Sequence, residues 1–260
     1  MADVGWGQLF FSALAGGVTV KLLDIAYKEF ARHLSRSSSA TEFVDTHLDP
    51  LLKATDELCG KLRALAEGDF HAIAGVTPDE NSFMHTEFAG VAFLFARFWA
   101  QVEVIRRDGI TISMSRDKRG KQLQAFLDCL ESRRIRIIPR VLQRAIGEVL
   151  LSRGVAASFI NFVADFENDP LLRRWLMPLV EFLSKTTNTS ERQRLLQHTV
   201  IMHALIDTLD PNHSVTRNRP ALPSKLTKRS WRDLDYRVFA VYLKFVVNRR
   251  KYLGPPKRRP

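Results

Sequence analysis

His203 and Asp207 stand four residues apart, so they share one face of any helix that carries them. Imidazole nitrogen and carboxylate oxygen are donors of a zinc or transition-metal site, but such a site needs a third protein ligand. His198 lies five residues before His203 and points off that face, so the two residues are candidate ligands without a complete set. No metal or cofactor is implied. Asp165, Glu167 and Asp169 form an acidic cluster of the kind that holds a divalent cation or shifts a neighbouring carboxyl pKa. Their place just before Asp169-Pro170 gives them the alternative role of helix caps. The spacings GxxxxGK[ST], GxSxG, HExxH and GxGxxG, each tied to a mechanism, do not occur. Cys59 and Cys129 are seventy residues apart and make neither a CxxC pair nor a disulfide framework.

The cations are more suggestive. Net charge is +11, yet the stretch from Arg217 to Pro260 carries fourteen Lys/Arg against Asp233 and Asp235, a net of +12, which leaves −1 for the remaining 216 residues. A basic tail on a near-neutral body points to a local anionic partner, either phospholipid headgroups, an acidic protein or nucleic acid. The candidate contact residues in it are Arg229, Arg232, Arg237, Lys244, Arg249, Arg250 and Lys251, interleaved with Trp231, Tyr236, Tyr242 and Tyr252. That mixture suits a membrane-interface helix and a nucleic-acid-binding helix alike. A second patch joins Arg133, Arg134 and Arg136 to Arg140 and Arg144, with Arg116, Lys118, Arg119 and Lys121 nearby. It reads either as a phosphate-binding face or as the charged edge of an extended segment.

These residues must be positioned by helices. Apolar residues recur at three and four over 41–67, where Asp49-Pro50 suggests a short helix followed by a longer one. Residues 83–107 are apolar around nearly the whole circumference; Glu87, Arg97 and Glu103 interrupt them, so the segment reads as a central core helix and not as a span. Further helices are expected at 141–151, 157–166, 170–183, 190–209 and 226–252, the last with a stripe of Trp231, Leu234, Val238, Tyr242, Phe245 and Val246. Ile110, Ile112 and Met114, then Ile135 and Ile137, alternate with polar residues. They predict either a minor two-stranded β element or irregular extended segments lying on the helices.

Val4 to Val20 run for seventeen positions without a formal charge and are followed by Lys21, Lys28, Arg32 and Arg36. That is close to the shortest run that spans a bilayer, and the cations place its carboxyl side in the cytoplasm. Small residues four apart, Ala13 with Gly17 or Ser12 with Gly16, could pack two such helices together. The expected organisation is an anchor at 1–33, a Ser-rich linker at 34–40, a helical domain at 41–216 and a basic helix and tail at 217–260. The expected class is mainly α, a multi-helix cytoplasmic domain behind a single-pass N-terminal membrane-anchor helix. The expected function is that of a membrane-tethered interaction or scaffold protein, its basic tail contacting anionic lipid or an acidic partner. A soluble nucleic-acid-binding helical protein is the first alternative, and an enzyme with a site between helices near His203 and Asp207 the second.

Overall fold

The computed structural model describes residues 41–108, 117–152, 158–220, 222 and 225–254. Among them the fold is mainly helical and contains no strand. The expected anchor, linker and first extended segment, Ile110 to Met114, lie outside the described residues.

Helix α1 runs without a break over 41–67. The expected interruption at Asp49-Pro50 does not occur: Leu48, Leu51 and Leu52 hold both sides of Pro50 to the core, while the proline itself faces solvent. The next helix, α2 (Thr86–Asp108), follows a 3₁₀ turn at Ser82–Met84. Ser82 does not cap α2; its hydroxyl donates to Thr77 and Asp79 carbonyls and accepts from the Asp79 amide. In order follow α3 (Lys118–Glu131), α4 (Arg140–Ser152), α5 (Phe159–Asn168), α6 (Pro170–Ser184) and α7 (Thr189–Leu209). Asp169 caps α6, its carboxylate accepting from the Leu171 and Leu172 amides. Pro178 lies inside that helix without ending it.

Helix α2 is the centre. It packs against α4, α5 and α6, and α3 packs on α7. Among the described residues it is the one helix long and apolar enough to cross a membrane by length and composition, but 78% of its apolar window is buried inside the protein. Its apolar circumference is therefore satisfied by protein. The approach of α4 depends on Gly147: a Cβ there would come within 2.7 Å of the Trp99 carbonyl oxygen and 3.0 Å of Glu103 Cγ. Phe83 stacks on Phe166 at 3.8 Å between centroids and on Phe162 at 5.5 Å, fixing the turn before α2 to α5.

Ile135 and Ile137 are not strand residues. The amides of Ile135 and Arg136 both donate to the Ser132 carbonyl, so the backbone is satisfied within a turn. Ile135, Ile137 and Ile138 all point into the core.

Candidate functional site

The C-terminal segment departs most from expectation. Instead of one helix over 226–252, a five-residue helix, α8 (Lys228–Arg232), runs into a π-helical stretch at Asp233–Phe239. Residues 240–248 are turns and loop, and a short α9 (Arg249–Leu253) closes the segment. The π geometry shifts the inward register by one residue. Trp231, Leu234, Val238 and Phe239 are buried, then Leu243 and Val246, while Tyr242 faces outward.

Several ties fasten this segment to the body. The Gln193 side chain of α7 accepts from the Thr227 amide at 2.7 Å and donates to the Lys225 carbonyl at 2.9 Å. Thr227 then caps α8, accepting from the Ser230 amide. Trp231 Nε1 donates to the Leu253 carbonyl at 2.9 Å, closing the start of the segment onto its end. Phe239 stacks on Tyr252, and Phe126 of α3 meets Phe245 edge to face.

Asp207 is the remaining tie, and its partners extend beyond His203. Its Oδ2 accepts from Tyr252 Oη at 2.8 Å and pairs with Lys251 Nζ at 2.5 Å. His203 Nε2 and His213 Nε2 lie 3.8 Å and 3.5 Å from Oδ1. The partners come from the connector and the last helix, which residue spacing along α7 does not reveal. Burial pushes the His203 imidazole down, with Asp207 opposing. Burial first, then the hydrogen bond to Asp207, pushes the Tyr252 phenol up. Among the described residues no group of three His, Cys, Asp or Glu is arranged to hold a metal ion. Cys59 and Cys129 are free and buried, and burial pushes both thiols up to about 12, the wrong direction for a nucleophile.

The cations sort into two groups. Arg237 pairs with Asp233 at 3.3 Å, Arg249 with Asp235 at 3.8 Å, and Lys251 with Asp207. Lys228, Arg229, Arg232, Lys244 and Arg250 have no carboxylate partner among the described residues. They border two adjoining clefts that share Tyr236, a residue 63% exposed. Along the first, Lys228, Arg229, Arg232 and Arg237 face Asp233 alone.

No protein-family model matches this chain, and no curated protein and no solved structure matches it either. Function must therefore be read from this surface itself.

The patch around Arg133 divides. Arg140 pairs with Glu131 at 2.6 Å and Arg144 approaches Glu103 at 4.0 Å, while Arg106 bridges both glutamates. Arg119 is taken up by Asp45 at 2.6 Å. Arg133 and Arg134 stay exposed on the turn after α3, and Arg136 is half-buried. Of the cations that spacing grouped here, Arg119, Arg140 and Arg144 are met by carboxylates from α1, α3 and α2, while Arg133, Arg134, Arg136, Lys118 and Lys121 have no carboxylate partner among the described residues.

Proposed function

We propose that this chain is a membrane-tethered interaction protein that docks on an anionic lipid surface through residues 228–254. The observation that carries the reading is the set of five cations, Lys228, Arg229, Arg232, Lys244 and Arg250, without carboxylate partners among the described residues and grouped about the exposed Tyr236. A cation near an anionic leaflet contributes roughly 1 kcal/mol, and a phenol with an apolar body and polar tip suits the headgroup level. The uncharged run Val4 to Val20 and the cations after it support a tether that leaves the helical domain on the same leaflet.

The test is sedimentation of a chain lacking residues 1–36, so that the proposed tether does not contribute, with phosphatidylserine–phosphatidylcholine vesicles against phosphatidylcholine alone. Binding to the first, weakening steeply with salt, is expected. Equal binding to both would defeat the reading, and tighter binding to duplex DNA or RNA than to vesicles would replace it with nucleic-acid recognition. Fractionation of the full chain and of a chain lacking residues 1–36 tests the tether separately: the full chain is expected with membranes and the shortened chain is expected to leave them at high salt.

A further inference from the structure

The second cleft differs in kind from the basic stripe beside it. Three pieces of backbone build it: the end of α8 with the π stretch, the loop at 244–248, and α9 with Gly254. Its volume, about 590 Å³, is that of a small-molecule site. Gly254 ends α9 at φ 66°, a left-handed conformation that favours glycine.

The lining is divided. Trp231, Val246 and Leu253 are buried beneath it. The Trp231 N–H is already given to the Leu253 carbonyl, so the indole has only its ring left to offer a ligand. Tyr236 and Val247 stand at the wall, and Val247 is 92% exposed. Lys244 and Arg250 stand at the same cleft without carboxylate partners among the described residues, and Asp235, the carboxylate there, is engaged by Arg249. A bare anion would satisfy the cations and leave Val247 wet. A neutral apolar molecule would do the reverse.

We propose that this cleft binds an anionic amphiphile, an alkyl or acyl chain carrying a phosphate. Its chain lies over Trp231, Val246 and Val247, and its phosphate sits between Lys244 and Arg250, which donate charge-assisted hydrogen bonds to the oxygens. The proposal rests on the reading of residues 228–254 as a lipid-facing surface and adds a discrete site to it. The same chemistry is presented by a phospholipid in a leaflet and by a free amphiphile in solution.

Isothermal titration of the full chain with decyl phosphate below its micellar concentration tests it, with decanol and inorganic phosphate as comparisons. Saturable one-to-one binding of decyl phosphate is expected, with the other two weaker by about tenfold or more. The double variant K244Q/R250Q is expected to lose affinity by about tenfold. Val247→Ser, on an exposed loop where folding is not at risk, is expected to weaken decyl phosphate without affecting inorganic phosphate. Competition by phosphatidylserine vesicles supports a leaflet source, and its absence supports the free amphiphile. Inorganic phosphate binding as tightly as decyl phosphate overturns the proposal. So does absence of saturable binding while anionic vesicles still sediment the chain, an outcome that leaves the broader reading standing.

Discussion

Arginines meet opposite fates at two places in this molecule. Where α2, α3 and α4 join, Arg106, Arg140 and Arg144 close on Glu103 and Glu131, and Glu103 is only 5% exposed. Along 228–254 the cations outnumber the carboxylates, and five of them face outward unpaired among the described residues. Charge density along a sequence is therefore a poor guide to free charge. Glu103 of α2 and Glu131 of α3 neutralise the first group; along 228–254 an earlier helix meets only Lys251, through Asp207 of α7, among the described residues. Inside, a cation is tolerated because it is paired, whereas outside, its pairing is left to a partner.

The contrast is most severely tested by removing an inner carboxylate. Glu103→Ala leaves Arg106 partly buried with Glu131 as its remaining partner, so a loss of about 3 kcal/mol, the low end of the cost of breaking a buried pair, is expected. Chemical denaturation should show that loss; a change below about 1 kcal/mol would mean that the junction is no more demanding than the surface.

His198 makes the same point through pH. It is fully buried between Phe95 and Phe98, and burial, partly offset by the Ile135 backbone, pushes its imidazole down to about 4. The unfolded chain takes up the proton below the ordinary histidine value of about 6.5, and the folded chain does not until about pH 4. Stability should fall as pH drops between those values, by an amount on the order of 3 kcal/mol in total. His198→Met should flatten that part of the stability profile, and an unchanged slope would refute a buried neutral imidazole.

Next in size is Gly147→Ala. The added methyl meets the Trp99 backbone and the Glu103 side chain, so α4 must move away from α2. A loss of about 1–3 kcal/mol is expected by thermal or chemical unfolding. A neutral result would show that the two helices separate easily.

At the outer region the expected pattern reverses. R229Q/R232Q should leave stability within about 0.5 kcal/mol but weaken binding to phosphatidylserine vesicles, roughly 1 kcal/mol per cation. The pair R133Q/R134Q, on the turn after α3, should have the smallest effect of all on vesicle binding. If it matched R229Q/R232Q, the docking surface would have to extend to that turn.

Much of this fold was legible. Apolar residues at three and four mark α1, α2 and α4 to α7 to within a few residues, and Asp169 reads as a cap. At Pro50 the local break signal is overridden by the tertiary burial of Leu48, Leu51 and Leu52. Ile135 and Ile137 alternate like a strand, yet their backbone needs were met by Ser132 three and four residues back. The break in the last helix did leave a trace. Between Val238 and Val247 every residue except Lys244 is apolar or aromatic, more than one stripe of a single helix can bury. The surroundings of Asp207 left none, because His213, Lys251 and Tyr252 reach it only through the tertiary fold.

The ties at Gln193, Trp231 and Asp207 have a thermodynamic consequence. Many basic tails are disordered when free and lose conformational entropy when they settle on a partner. Here Tyr252 and Trp231 already hold the segment in place, so the cations are presented by a preorganised face and association spends little on ordering. Vesicle binding should accordingly leave the far-ultraviolet circular dichroism of a chain lacking residues 1–36 unchanged, with the salt dependence arising from charge alone.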